Sequence, residues 1–403
     1  MATPLANIRV LDMSRVLAGP WAGQLLGDYG ADVVKIERPG SGDDTRHWGP
    51  PWLEGDDYRE AAYFLSANRN KRSITVDLTN ERGRQLIREL VAEADVLLEN
   101  FRTGTMARFG LGPDELIAIN PGLVYCSISA FGQTGSRSAE PGYDAMIQAS
   151  AGLMSITGPA ADQAGGPQKV GVAIADIMAG MYACTAILAA LNARQETGEG
   201  QFIDVPLYDS QVAWLANQAM NYLIGGEVPV RLGTAHPNLV PYQAFATADG
   251  NLMLAVGNDR QFADCVACLG LTELANDPRF ASNGDRVTNR KALVERMQAA
   301  FSGQGTVEWL RAFKEKGVPA GPINDIGEVL SNAHASERNL VREISNSLGD
   351  PVPLIANPVN FSATPVCYEK AAPLLGEHTD EVLREWLGYS DESIAELRGC
   401  RAV

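Results

Sequence analysis

Apolar positions follow two rhythms along this chain. In the first half, short runs rich in β-branched residues alternate with stretches whose apolar positions recur every three or four residues. Residues 8–11 predict a short strand, 20–29 a helix and 31–36 (ADVVKI) the next strand. Residues 73–78, 96–98 and 123–129 predict further strands, and 81–93 an amphipathic helix. Strands separated by helical segments imply a parallel sheet with helices on its faces. A long helix is expected over 176–197, then an extended stretch at 201–206 and a second helix over about 208–224. After Gly225-Gly226 the character changes. Residues 240–256 predict a hairpin turning at Ala248-Asp249-Gly250-Asn251. Helices follow at 261–269 and 290–301. Residues 352–365, rich in Pro and Asn, read as extended, and 377–387 and 391–397 as closing helices.

The expected fold class is α/β: a Rossmann-like large domain plus a smaller α+β domain. The likeness to Rossmann proteins is one of architecture only. No G-x-G-x-x-G follows the first strand and no P-loop is present, so nucleotide binding by those loops is not supported. The division expected is residues 1–200 for the N-terminal part of the large domain, 201–225 for a linker helix and 226–335 for the small domain. A return segment, 336–403, completes the large domain.

A length of 403 residues suits two or three domains. Apolar residues make up 45% and charged residues 20%, ordinary for a soluble enzyme. The net charge of −16 argues against nucleic acid and anionic membrane surfaces as partners. It leaves room for an anionic ligand held by a local basic cluster. Met1-Ala-Thr-Pro-Leu5 has no basic stretch before an apolar run, so no secretory leader is expected there. The apolar stretch 172–191 is interrupted by Asp176 and rich in Ala and Gly, which favours a buried helix over a span through lipid.

Six scattered cysteines suggest a reducing cytoplasm. Cys265 and Cys268 form a C-x-x-C without a second pair, and read as packing residues of a helix. The four histidines, His47, His236, His334 and His378, show no metal-ligand spacing, and no G-x-S-x-G elbow occurs. No metal and no tightly bound cofactor are expected.

Asp176 is unusual. It lies in Gly171-Val-Ala-Ile-Ala-Asp-Ile-Met-Ala-Gly-Met-Tyr182, among apolar or small neighbours. The local pattern makes it the N-cap of the following helix. There, backbone N–H groups and the helix dipole would hold the carboxylate ionised. The small residues Ala175, Ala179 and Gly180 would let a bulky thioester approach, and a carboxylate can serve as a covalent nucleophile.

Several segments carry a resemblance: Val10-Leu-Asp12, Arg15-Val-Leu-Ala-Gly-Pro20, Gly30-Ala-Asp-Val-Val-Lys-Ile-Glu-Arg-Pro39, Asn68-Arg-Asn-Lys-Arg-Ser73, Glu99-Asn-Phe101, Arg108-Phe-Gly110 and Ala372-Pro-Leu-Leu-Gly-Glu-His-Thr379. In this order they resemble the class III CoA-transferase family, to which formyl-CoA transferase and carnitine CoA-transferase belong. The resemblance implies an intertwined homodimer. It also implies a catalytic aspartate at Asp176 that forms acyl anhydrides and an aspartyl-CoA thioester. The coenzyme A thioester is then a substrate, and a small carboxylic acid its partner.

The resemblance places CoA by position. Arg38 would meet phosphates, Val16, Leu17 and Ala18 would line the channel, and Val76, Leu78 and Thr79 would border the adenine. Asn100, Phe101 and Arg108 would complete the pocket, with positive field added by Lys71 and Arg72. Tyr63 and Tyr143 match active-site tyrosines of the family. At Leu17 formyl-CoA transferase has a glutamine, so its absence points away from oxalate or formate. Where that enzyme has a run of glycines, this chain has Arg231-Leu-Gly-Thr-Ala-His236-Pro, then Val240-Pro-Tyr-Gln-Ala-Phe245. This resembles the subgroup acting on dicarboxylates, such as succinyl-CoA:glutarate transferase. Gly233 and Thr234 belong to that loop, and Arg231 or His236 is the candidate for neutralising a distal carboxylate.

Two alternatives remain. Racemases of α-methylacyl-CoA esters share the superfamily, but their Gly-His-Asp is Gly142-Tyr-Asp144 here, which removes half of an acid/base pair. A non-catalytic CoA-binding relative is the other.

Overall fold

The computed structural model describes residues 3–55 and 58–403. The chain divides into two compact units. One comprises Met1–Gly152, Val170–Leu215 and Ala333–Val403; the other comprises Leu153–Lys169 and Ala216–Asn332.

The first unit is built on a six-stranded parallel sheet: β1 (Arg9–Asp12), β2 (Asp32–Glu37), β3 (Lys71–Thr75), β4 (Val96–Glu99), β5 (Val124–Ser129) and β6 (Phe202–Pro206). The spatial order is β3-β2-β1-β4-β5-β6. Val10 stands opposite Val33 and Val96, and Leu11 opposite Val34 and Leu97. Side chains alternate faces along a strand. Val10, Val33, Val96, Val124 and Cys126 therefore enter one apolar core, and Leu11, Val34, Leu97 and Tyr125 the other. Burial on both faces is why these strands read as nearly continuous apolar runs.

The first core is covered by the helices α1 (Ala18–Asp28) and α2 (Ile174–Thr197), both rich in small residues. α2 is long and apolar enough to cross a membrane. Its Ala179, Ala183 and Ile187 are instead fully buried in this core. The second core is covered by the helices Glu81–Ala92 and Thr379–Leu387. The last of these, with Asp391–Gly399, brings the end of the chain back: the His378 N–H donates to the Ser73 carbonyl, and the Asp77 N–H to that of Ala402.

Three expectations need correction. β3 begins at Lys71, two residues before the expected start, because two charged residues mask an apolar strand. Both are neutralised locally. Lys71 donates to Asp12 at 2.9 Å, and Arg72 pairs with Asp32, Glu381 and Glu385. Neither supplies free positive field for a ligand. The expected helix over 208–224 is two helices, Leu207–Ala213 and Ala216–Gly225, broken where Ala216 takes a left-handed φ of 44°. The expected extended stretch over 352–365 is a strand only at Pro351–Ile355, and the antiparallel partner of that strand, Val341–Ser345, is too polar to have been legible.

In the second unit the expected hairpin is Tyr242–Ala246 with Asn251–Ala255, joined by a third strand, Ala320–Pro322. Phe245, Phe301, Trp309 and Phe313 form its aromatic centre. Cys265 is fully buried there on the helix Asp259–Cys268, and burial pushes its thiol up, so this half of the C-x-x-C packs as expected.

Candidate active site

In an open parallel sheet, ligands bind beyond the carboxyl ends of the strands where the strand order reverses. Here that point lies between β1 and β4. The chain leaves β1 into Met13–Ala18 and leaves β4 into Asn100-Phe101. Asn100 ties the two together: its side chain accepts the Arg15 N–H at 2.8 Å and donates to the Arg15 carbonyl at 2.6 Å. The next residue, Val16, sits at φ 70°, a left-handed conformation costly for a β-branched side chain, by about 1–3 kcal/mol. Its N–H donates to both oxygens of Asp43, at 3.2 and 3.3 Å. Lys35, fully buried in β2, donates to Asp43 and to the Ser14 carbonyl, each at 2.9 Å. After this turn α1 begins at Ala18 without a side-chain cap, and the third residue of its first turn, Pro20, has no N–H.

α2 delivers Asp176. The carboxylate is not the N-cap; that position is Ala173, and Asp176 is the third residue of the helix. The role expected of it is filled from outside. Asp144, which opens the short helix Asp144–Ser150, accepts the Ala175 N–H at 2.8 Å. Gln148, fully buried, donates to the other Asp144 oxygen at 2.7 Å and fixes it. Asp176 is only 8% exposed. Among the described residues no hydrogen bond holds its carboxylate. Burial, and then the charge of Asp144, push it up to about 7. The expectation of a carboxylate held firmly ionised is therefore corrected: desolvation outweighs the helix terminus.

Gly180 lies one turn further along α2. A Cβ there would come within 2.5 Å of the Ala18 carbonyl oxygen, so glycine is what lets α2 pass the start of α1 at this distance.

A cleft of about 230 Å³ is lined by Val16, Leu17, Ala18, Asn100, Phe101, Tyr143 and Asp176. A second, of about 120 Å³, is lined by Arg38, Val76, Leu78, Thr79 and again Phe101. Arg15 and Phe101 wall both, with the guanidinium 5.3 Å from the ring centre. Each is small for a large ligand, but together they suit an extended one with a reactive end at Asp176 and an anionic end at Arg38. Tyr143 is 67% exposed at the first cleft. Tyr63 is half-buried and packs edge-on against Trp48, and burial with the charges of Asp176, Asp144 and Asp43 pushes its hydroxyl up to about 12. It stays a neutral hydrogen-bond donor at physiological pH. Arg108 lines neither cleft; it is exposed and donates to Thr105 at 3.2 Å.

The loop from Arg231 to His236 belongs to the second unit. The Arg231 Nε donates to the Pro159 carbonyl at 3.1 Å, and no acidic side chain pairs with its guanidinium among the described residues. Gly233 is left-handed at φ 62°, and the Thr234 hydroxyl accepts the Ala244 N–H. His236 stacks on Tyr242, and its Nδ1 accepts the Asn238 N–H at 3.0 Å. Burial and the neighbouring Arg290 charge lower its pKa, so it is neutral at pH 7.

Sequence reasoning missed Asp144, Lys35 and Asp43 as parts of the site. Lys35 had a signal, a charge inside the apolar strand run Asp-Val-Val-Lys-Ile-Glu. Asp144 had a weaker one, an acidic residue just before an apolar helical pattern. Asp43 had none, because its partner Val16 lies 27 positions away.

A family profile described as CoA-transferase family III matches residues 5–379. The succinate–glutarate CoA-transferase of Agrobacterium fabrum is 47% identical over 384 residues, covering 95% of each chain. The human succinyl-CoA:glutarate CoA-transferase is 43% identical over 400 residues, covering 99% of this chain and 90% of its own. A crystal structure of a CAIB/BAIF family protein from Brucella suis is 46% identical and superposes with a TM-score of 0.83, covering 96% of this chain and 100% of that one.

Proposed function

The chain belongs to CoA-transferase family III, and from that premise we propose that it moves CoA from succinyl-CoA to a short dicarboxylic acid of the glutarate type, with Asp176 as acyl carrier. The observation that carries the reading is the Asp176 carboxylate itself, nearly buried, without a described hydrogen-bond partner, and facing a cleft at the switch point of the sheet. The names of the relatives support the two acids.

The reaction proceeds in four exchanges. A carboxylate oxygen of Asp176 attacks the thioester carbonyl carbon of the donor, the C–S bond breaks, and CoA leaves as thiolate, giving a mixed anhydride. The thiolate attacks the Asp176 Cγ and expels the donor acid as its carboxylate, leaving an aspartyl-CoA thioester. The acceptor carboxylate attacks the same Cγ and expels the thiolate, forming a second anhydride. The thiolate then takes the acceptor's acyl group and returns Asp176 to carboxylate. Each step exchanges activated acyl groups of similar energy. A desolvated carboxylate is a better nucleophile than a hydrated one, and a dry cleft protects the anhydride from hydrolysis. The uncapped start of α1, beside Leu17 and Ala18, offers N–H groups to the oxyanion that forms at each attack.

In this reading Arg38 and Arg15 take the phosphates of CoA, and Phe101, Val76, Leu78 and Thr79 the adenine end. Arg231 reads the distal carboxylate of the dicarboxylate, since His236 is neutral and the Arg231 charge has no described acidic partner. The working form is a homodimer, for which the exposed Met181 and Tyr182 on α2 supply apolar contact surface, and the compartment is the cytoplasm, consistent with six free cysteines.

The test is trapping during turnover. With succinyl-CoA and glutarate, hydroxylamine should convert the Asp176 carboxyl to a hydroxamate seen in one peptide by mass spectrometry, and glutaryl-CoA should accumulate. Glutaryl-CoA formed without any modification at Asp176 would overturn the carrier role. No product with any dicarboxylate would overturn the substrate class. Exchange of the α-proton of a 2-methylacyl-CoA in deuterated water, without transfer, would favour a racemase instead.

A further inference from the structure

We propose that Lys35 and Asp43 are positioning residues for acyl-CoA, an inference that rests on the CoA-transferase reading: this buried ion pair holds the turn from Ser14 to Val16 in the one shape that forms the wall of the reactive cleft. The pair grips the turn at both ends. Lys35 donates to the Ser14 carbonyl, and Asp43 accepts the Val16 N–H with both oxygens. Both side chains are excluded from solvent. The grip is needed because Val16 is β-branched and left-handed, a conformation that relaxes unless its surroundings enforce it. Relaxation there would carry Leu17 and the start of α1 with it, on the wall facing Asp176. A buried ion pair is weak evidence for stability, since apolar replacement of both partners is often neutral. Its value here is geometric.

The test is a paired apolar replacement, Lys35→Met with Asp43→Leu, which leaves no buried charge stranded and no oxygen to accept the Val16 N–H. The variant is expected to fold and to lose about 10- to 100-fold in kcat/KM for acyl-CoA, as misplacement of a site wall by about 1 Å does. The KM for the acceptor acid should stay unchanged. The decisive comparison adds Val16→Gly, since glycine takes a left-handed φ without help. In that background the same pair should cost three-fold or less. An equal loss in both backgrounds, or a lower melting temperature with unchanged kcat/KM, would overturn the proposal. Hydrogen exchange on the unmodified protein gives an arm independent of any variant. A peptide spanning 13–17 should show protected amides without ligand, and exchange at the random-coil rate would sink the idea. Absence of transferase activity in the unmodified protein would instead condemn the functional reading and leave the exchange result to judge the clamp.

Discussion

The Asp144 carboxylate accepts the N–H of Ala175 and so sits at the start of the helix on which Asp176 is the next residue. Two acids thus share one helix terminus. The first takes the favourable position against the backbone N–H groups, and its charge then disfavours ionisation of the second. With burial as the larger cause, Asp176, the proposed nucleophile, is thereby pushed up to about 7, which has consequences for rate and for stability.

The rate should follow the ionised form. In the free enzyme kcat/KM should rise with pH through about 7 and level off above it, because burial and Asp144 push Asp176 up to about 7. Asp144→Asn keeps an acceptor for Ala175 and removes the charge. Its acid limb should move to lower pH, though only in part, since burial is the larger cause. A pH–rate profile of the two proteins decides it; coincident limbs would show that the Asp144 charge does not act on the nucleophile.

Stability should run the other way. The folded pKa of Asp176 is raised from the carboxylate value of 3.8. The protonated form is thus favoured by folding, and the associated stability is lost as pH rises through about 7. Asp176→Asn should abolish transfer, by at least about 10³-fold. At pH 8 it should stabilise the fold by about 2–4 kcal/mol, with the difference vanishing below pH 4. Denaturant titrations at the two pH values test the sign, and a destabilised Asn variant at pH 8 would contradict it.

Gly180 should resist substitution more than its helical position suggests. Alanine is ordinarily the better helix residue by about 1 kcal/mol. Here its Cβ would lie 2.5 Å from the Ala18 carbonyl oxygen, a backbone atom that cannot swing aside. Gly180→Ala should destabilise by about 1–3 kcal/mol and raise the KM for acyl-CoA as the start of α1 shifts. Thermal unfolding and initial rates measure both, and a more stable, fully active variant would refute the close approach.

Arg231 should discriminate among acceptors. Removing a charged hydrogen-bonding partner costs about 1.5–3 kcal/mol, so Arg231→Ala should raise the KM for dicarboxylates by about 10- to 100-fold. Monocarboxylates should be unaffected. His236→Ala should show a smaller effect, since the ring is neutral at pH 7. Equal losses on both acid classes would make the loop a lid without a reading function.

Much of the fold was legible along the chain. The strands at Val10, Val33, Val96 and Val124 announced themselves because a parallel sheet buried on both faces demands unbroken apolar runs. The singularity of Asp176 was legible for the same reason: a carboxylate among small apolar residues has few uses. Sequence alone thus determined the α/β class, the parallel sheet and the identity of the nucleophile candidate. It could not determine the electrostatics of that nucleophile, because Asp144 is 32 positions away and reaches the helix only through a hydrogen bond to its backbone. Nor could it reveal that Lys35 and Lys71 are internal struts, since strand order brings Asp12 to Lys71 and the path of the loop after β2 brings Asp43 to Lys35. Local pattern encodes which face of an element is apolar. Which charges meet when those faces close is a property of distances between segments remote in sequence, and only the tertiary structure decided that.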